Sequence, residues 1–197
     1  DTSWWYEDFD LAIISEHIPD YIEYLTMCDR IYNFCHSKND IDRPIEAPEI
    51  KGWLAPREQV ANHWGGRFEI IPIPIDTKVF TQKPFNAQIK TYNILAPCAF
   101  DEQRKPMLED LIERAKEDHV RLTLMGDDHG VLGKLKLHDN VKVLPPSSDV
   151  VKHMEEAHEI AGLHIGTVTI EAWHVGRVTS VYDERGKYKV VDPPDLT

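Results

Sequence analysis

The sequence is short of positive charge. Its 197 residues include 22 lysines and arginines against 34 aspartates and glutamates, which gives a formal net charge of −12. A chain with this balance has no overall positive field to attract a polyanion, so it is unlike proteins held to DNA or RNA mainly by phosphate contacts. The balance still allows a small basic pocket for one nucleotide, and it leaves nucleic acid open as a reaction partner.

Long apolar runs and a signal-peptide pattern are also missing. No run approaches the ~20 apolar residues that span a bilayer. The three cysteines, Cys28, Cys35 and Cys98, match no metal-ligand spacing. These features together predict a reduced, cytoplasmic protein without a membrane span.

Ligand pairs for a metal are the third absence. The chain has ten histidines, but none forms an H-x-x-x-H pair. His153 and His158 are five residues apart, or about 500° around a helix, and so do not share a face well. We therefore expect no metal site.

What the sequence does contain is a regular alternation of apolar runs and helix-like stretches. Strands are expected at 10–14, 30–35, 52–55, 92–98, 120–125, 141–144, 178–182 and 188–191, with at best an edge strand at 68–73 because of two prolines. Helices are expected at 18–27, from a first turn that contains Pro56, at 106–117, at 148–157 with Ser148 as N-cap, and from a Thr167 cap to Gly176. This alternation indicates an α/β fold with parallel sheets flanked by helices.

Chemistry in such folds sits beyond the carboxyl ends of the strands, where helix N-termini present N–H groups. Three segments of the second half fall there: 99–105, 126–130 and 163–167. The first carries Arg104 and Lys105, cations that could hold a phosphate pair.

The third of these segments ends where a helix begins. Gly166 and Thr167 open this helix with backbone N–H groups that suit an anion, and Glu171 follows one turn later on roughly the same side. A carboxylate there could accept both hydroxyls of a ribose. Each feature alone has an ordinary alternative, namely turn chemistry for the glycine and a solvated surface for the charged residues.

The order of these features resembles the retaining glycosyltransferases of the GT-B fold, the glycogen-synthase-like family (glycosyl transferases group 1), over about 69–195. The best match is TVTIEAWHVGRVT at 167–179, which looks like the family's G-x-x-x-x-E-A-M-A-C-G-x-P-V-V. Weaker matches are IPIPID at 71–76, the strand and loop at 93–105, LTLMG at 122–126 and NVKVL at 140–144.

The resemblance implies two Rossmann-like domains, a short acceptor-side domain at 1–76 and a nucleotide-sugar-binding domain at 77–197. It also implies roles for individual residues. Arg104, Lys105, Gly166 and Thr167 would bind the donor diphosphate, Glu171 the ribose, and Val143 and Leu144 would lie beside the base. His36 is the candidate catalytic residue near the sugar, with an ordinary surface-loop histidine as an equal alternative.

The sequence departs from the family pattern in two places. Leu163 stands where the family carries a second glutamate, eight positions before Glu171, and His164 or the backbone of 165–167 would have to serve the sugar instead. The loop AFDEQRKP at 99–106 replaces the usual G-R-x-x-x-x-K-G, so Arg104 and Lys105 are not ranked. The first domain is also about half the usual length, so the chain is either compact or lacks its ends. A homodimer is one way for a compact chain to complete an acceptor site.

The function implied is transfer of a hexosyl group from a nucleoside-diphosphate sugar to an unknown acceptor, with retention and without a metal or other cofactor. A GT-B nucleotide-sugar epimerase and a non-catalytic nucleotide-sugar-binding domain are the alternatives. The sequence does not choose between uridine and guanosine donors.

Overall fold

The computed structural model of the chain describes residues 10–15, 28–36, 43–65, 67–72, 74–84, 90–163, 165–182 and 188–191. The chain divides into two compact units, Asp1–Pro74 and Ile75–Thr197. The sequence analysis places its domain boundary after residue 76, and the roles it gives to the two domains stay predictions.

The first unit contains a parallel four-stranded sheet with the order β1-β2-β3-β4. Its elements are β1 (Ala12–Ser15), β2 (Ile31–Phe34), β3 (Ile50–Ala55), α1 (Glu58–Trp64) and β4 (Phe68–Ile70). β4 lies at an edge of the described sheet, as the following prolines predict. The helix expected at 18–27 lies outside the described residues. The expectation that Pro56 lies in the first turn of a helix is wrong, because α1 begins at Glu58 with Arg57 as its N-cap.

The second unit contains a six-stranded sheet with the order β10-β9-β8-β5-β6-β7. Its strands are β5 (Tyr92–Pro97), β6 (Val120–Met125), β7 (Val141–Leu144), β8 (Glu159–Leu163), β9 (Val178–Tyr182) and β10 (Tyr188–Val191). Its helices are α2 (Lys105–Arg114), α3 (Val150–Glu156) and α4 (Thr167–His174). No strand was expected at β8, whose sequence begins with a glutamate and contains a glycine.

One pair of this sheet differs from the expected parallel arrangement, because β9 and β10 are antiparallel. Only five residues, 183–187, separate the two strands. A connection that short can form a hairpin but cannot return the chain for a parallel pair, which needs a crossover of a dozen or more residues. All other neighbours in the sheet are parallel.

Helices cover both faces of this sheet, and alternate strand residues supply the two layers. Ile94 and Ala96 of β5 belong to the cluster that includes the buried side of α2, whereas Leu95 between them belongs to the cluster that includes Met154 of α3 and Ala172 of α4. Burial on both faces explains why the strands read as continuous apolar runs rather than as alternating patterns.

Two expected helix caps are wrong by one residue. Asp149, not Ser148, is the N-cap of α3 and makes no side-chain capping bond. Gly166, not Thr167, is the N-cap of α4, and its N–H donates to Thr169 Oγ1 at 3.4 Å. The hydroxyl that helps to shape this helix start therefore comes from inside the first turn.

Helix α2 ends at Arg114, three residues before the expected end. The N–H of Lys116 donates to Glu113 O and that of Glu117 to Arg114 O, at 3.1 and 3.3 Å. Bonds to the third preceding residue tighten the chain into turns after the helix, which is common at helix C-termini.

Candidate functional site

The order of strands in the second unit reverses at β5. Its two neighbours are β6, the next strand along the chain, and β8, which starts the other half of the sheet. In doubly wound sheets a crevice forms at such a switch point, outside the carboxyl ends of the strands. The topology therefore brings the loop after β5 and the start of α4, which follows β8, to one edge of the sheet.

The start of α4 is built as an anion-favouring helix terminus. Gly166 has an extended backbone, and the first bond within the helix runs from the Ile170 N–H to Gly166 O at 3.1 Å. The amides of the first turn precede that bond and carry the positive end of the helix dipole. Thr167, the first helical residue, is exposed.

Glu171 lies one turn further into α4. Its side chain is half-buried, and this burial raises the pKa of its carboxyl group. Within the described ranges no hydrogen bond or ion pair reaches the carboxylate. This half-buried carboxylate has lost hydration without gaining donors from the described residues, which suits a ligand that brings hydroxyl groups.

The loop after β5 places both expected cations at the start of α2. Arg104 is the N-cap residue and Lys105 the first residue of the helix. Each has an acidic partner, because Arg104 forms a salt bridge with Asp101 and Lys105 Nζ lies 3.0 Å from Glu109 Oε1. The structure therefore gives each cation an acidic partner at the start of α2, and their role in diphosphate binding stays a prediction.

The segment 126–130 supports this loop. Gly126 has a φ of +156°, and a Cβ atom there would lie 1.9 Å from the carbonyl oxygen of Cys98, so only glycine fits. The N–H of Phe100 donates to Asp127 O at 2.8 Å, and the Phe100 side chain is fully buried. We interpret this segment, the second of the three expected at strand ends, as a support for the loop.

The remaining expected site residues lie in different places. Val143 is exposed and Leu144 half-buried in β7, at the edge of the described sheet, and Leu163 is the half-buried last residue of β8. His36 follows β2 in the first unit, is exposed, and makes an edge contact with the Phe34 ring, with centroids 4.5 Å apart. The roles of these residues stay predictions. His164 lies outside the described residues.

Sequence analysis missed the buried Arg177, which directly follows the positive-φ glycine after α4. Arg177 is 2% exposed. Its guanidinium donates to backbone carbonyls at the ends of α3 and α4 and in the segment before β5. These acceptors are Met154, Glu155, Val175, Gly176 and Lys83, at 2.8–3.3 Å. A cation suits the negative end of a helix dipole, which is the signal that could have predicted this contact. Arg177 thereby fixes α4, the helix that carries Glu171.

A second missed cluster lies at the opposite, amino edge of the sheet. Both guanidinium Nη atoms of Arg114 donate to Glu159 at 2.9 Å, and the Tyr92 hydroxyl donates to Glu159 Oε2 at 2.9 Å. Burial alone would raise the pKa of Glu159, but the bonds from Arg114 and Tyr92 outweigh it and lower the pKa. This carboxylate is held as a structural anion.

Two further features are absent from the described residues. No group of three or more His, Cys, Asp or Glu side chains within the described ranges could hold a metal ion. In the same part of the chain, no helix is long and apolar enough to cross a membrane.

Comparison with known proteins finds relatives by structure alone. No family model and no curated protein matches the sequence. Among solved structures, Anabaena HepE in complex with UDP-glucose is 15% identical with a TM-score of 0.62, over 78% of this chain and 53% of that one. Staphylococcus aureus TarM is 14% identical with a TM-score of 0.65, over 92% and 43%. Sucrose-phosphate synthase from Thermosynechococcus elongatus is 14% identical with a TM-score of 0.64, over 89% and 56%.

These similar structures are GT-B glycosyltransferases, and the likeness confirms the expected GT-B-type α/β fold. At this level of identity the likeness shows the fold alone. The chain spans between 52% and 61% of the HepE structures that it matches.

Proposed function

We propose that this chain acts as a glycosyltransferase whose second unit binds a uridine-diphosphate sugar, with transfer of the hexosyl group to an unknown acceptor. The choice of uridine is supported by similar structures, since HepE was solved with UDP-glucose and with UDP, and a pneumococcal O-GlcNAc transferase, GtfA, with UDP and GlcNAc. Retention of the anomeric configuration, and action without a metal or other cofactor, rest on the family resemblance.

One observation carries the proposal. Glu171 offers a half-buried carboxylate that no described residue satisfies, on the helix that starts at the switch point of the sheet. The two hydroxyls of a ribose are donors that can satisfy it. At the other edge of the sheet, the Glu159 carboxylate has a structural role, and there the protein supplies its own donor, Arg114.

The chemistry follows from where charge develops. As the bond between the sugar and the diphosphate breaks, negative charge gathers on the leaving diphosphate. Donors held in place before the reaction stabilise that charge without reorganising. In this proposal the amides at Gly166 and Thr167 and the cations of Arg104 and Lys105 supply them, while Glu171 holds the ribose.

Three further roles complete the proposal. Val143 and Leu144 lie beside the base, which backbone groups of this segment would recognise. His36 is the candidate catalytic residue for the sugar, a role that rests on the family resemblance alone.

A second candidate is a nucleotide-sugar-binding protein without transfer activity. The observation that favours it is Leu163, a half-buried apolar side chain at the end of β8 where the resembling family has a glutamate near the sugar. Such a protein would retain the ribose and diphosphate contacts and lack a group that acts on the sugar.

Calorimetric titration tests the site directly. UDP, GDP and their glucose and mannose conjugates are titrated into the wild-type chain and into Glu171→Ala. We expect the wild type to bind nucleotides of only one of the two bases. The variant should lose ~2–4 kcal/mol of binding free energy, because the two ribose hydroxyls lose a charged acceptor. Glu113→Ala, which removes an exposed carboxylate from α2, is the matched control and should bind as the wild type does. Absence of binding by every nucleotide would overturn the proposal.

Product analysis then separates the candidate functions. A transferase releases UDP faster when a suitable acceptor is added, and the sugar is found on that acceptor. An epimerase changes the sugar of the donor with no acceptor present. A chain that binds the donor and does neither over a wide acceptor panel is the binding protein.

A further inference from the structure

The loop expected to hold the diphosphate is electrically neutral. Between 99 and 105 it carries Asp101 and Glu102 as well as Arg104 and Lys105. A loop that only had to attract a dianion would gain from two unopposed cations. The acidic residues therefore need an explanation, and this inference rests on the function proposed above.

Asp101 makes two different bonds to the same residue. Its Oδ1 accepts the backbone N–H of Arg104 at 2.9 Å, and its Oδ2 forms a salt bridge with the Arg104 guanidinium. The first bond shapes the turn that leads into α2. The second needs the negative charge and keeps the guanidinium on the loop.

The contact occurs where a ligand can compete for it. The side chains of Arg104 and Asp101 are 29% and 31% exposed, unlike the Glu159 carboxylate, which is 2% exposed. A half-exposed ion pair between neighbours in sequence is weak, and a second anion can replace one partner at small cost. The pair is thus strong enough to orient Arg104 and weak enough to open.

We propose that Asp101 is an internal competitor of the donor diphosphate. The Asp101 carboxylate pairs with the Arg104 guanidinium until the diphosphate displaces it. Only a ligand that engages Arg104 has to open the pair. A nucleoside without phosphates leaves the pair closed, so Asp101 sets the affinity for the diphosphate part of the donor and leaves the affinity for the nucleoside part unchanged.

The substitution Asp101→Asn isolates the charge. Asparagine keeps an oxygen that can accept the Arg104 N–H and so preserves the turn, but it loses the anionic partner of the guanidinium. We expect UDP to bind about 1.5- to fivefold more tightly to Asp101→Asn than to the wild type, given the usual strength of exposed ion pairs. The affinity for uridine should stay the same.

The control Glu113→Gln removes one negative charge from another exposed ion pair. Its partner is Lys116, which lies just beyond the C-terminal end of α2. This variant should leave the affinity for UDP unchanged. The Arg104→Ala background gives a second control, because in that background Asp101→Asn should no longer improve UDP binding. Thermal unfolding of each variant checks that the fold is retained.

The possible outcomes separate this inference from the proposed function. If UDP binds the wild type and is lost in Glu171→Ala, but Asp101→Asn fails to tighten it, the competitor role is wrong and the proposed function stands. An equal gain from Asp101→Asn with and without Arg104 also refutes the role, since the charge then acts without the ion pair. If no nucleotide binds at all, both proposals fail.

Discussion

The two edges of the second sheet treat a carboxylate in opposite ways. At the amino edge, Glu159 is buried and accepts hydrogen bonds from Arg114 and Tyr92. On the side of the carboxyl edge, Glu171 is half-buried and receives no hydrogen bond or ion pair from the described residues. The pKa of Glu159 is lowered by its donors despite burial, whereas burial raises the pKa of Glu171.

This difference teaches how to tell a structural charge from a binding charge within one fold. A carboxylate that stabilises the protein has its donors supplied by the protein, since a buried anion without them is costly. A carboxylate that binds a ligand is left short of donors, and the ligand completes it. We therefore expect the same kind of substitution to lower stability at the amino edge and to weaken ligand binding at the carboxyl edge.

The largest expected effect is on the amino edge. Glu159→Ala leaves the Arg114 guanidinium without its carboxylate partner and should lower the free energy of unfolding by ~3–5 kcal/mol, the usual cost of breaking a buried pair. Denaturant unfolding measures it. Glu113→Ala, which breaks an exposed pair of α2, should cost less than ~1 kcal/mol. Equal losses of unfolding free energy in the two variants would mean that the Arg114–Glu159 pair does not stabilise the fold more than an exposed pair does.

At the carboxyl edge the same kind of truncation should affect binding instead of stability. Arg104→Ala is expected to weaken UDP by ~1.5–3 kcal/mol, since a charged donor to the diphosphate is lost. Its stability should stay within ~1 kcal/mol of the wild type, because its partner Asp101 is exposed enough to be hydrated. Calorimetry and thermal unfolding of the same samples check both values. Lys116→Ala, which should change neither quantity appreciably, serves as the control.

The smallest expected effect is a difference in pH dependence. Glu159 has a folded pKa below its unfolded value, so its stabilisation is present above pH ~4.3 and is lost as the pH falls through the folded pKa. Glu171 has a raised folded pKa, so its contribution is most favourable below pH ~4.3 and is lost as the pH rises through the folded pKa.

The substitution Glu171→Gln should therefore be relatively more stabilising at pH 7 than at pH 3, and Glu159→Gln relatively more destabilising. Unfolding curves across this range measure both trends. The same pH trend in the two variants would remove the contrast between the edges.

Much of the fold could be predicted from the sequence because burial on both faces leaves continuous apolar runs. β6 and β7 have the expected bounds, and β5 differs by one residue. The strand β8 was missed because its first residue, Glu159, looks like a surface residue until Arg114 is brought to it from 45 positions away. The N-cap of α4 was misplaced because Gly166 leaves the hydroxyl of the first turn to Thr169.

The sequence was enough to predict the individual residues of the candidate site, but not the contacts between their side chains. The order of apolar runs and glycines was enough to place Gly166, Thr167 and Glu171 at the start of a helix, although the strand before that helix, β8, was missed. The contact between Asp101 and Arg104 depends on the turn before α2, and the bonds of Arg177 depend on where two helices end. Local sequence patterns predict each helix or turn by itself, and they do not predict which side chains the fold brings into contact.

The most direct test of the account is a binding cycle between Glu171 and the ribose hydroxyls. UDP and 2′,3′-dideoxy-UDP are titrated into the wild type and into Glu171→Ala. The account predicts that loss of the hydroxyls weakens binding to the wild type by ~2 kcal/mol or more, about 30-fold, and changes little in the variant. An equal loss in both proteins would show that Glu171 does not hold the ribose, and it would contradict the central claim.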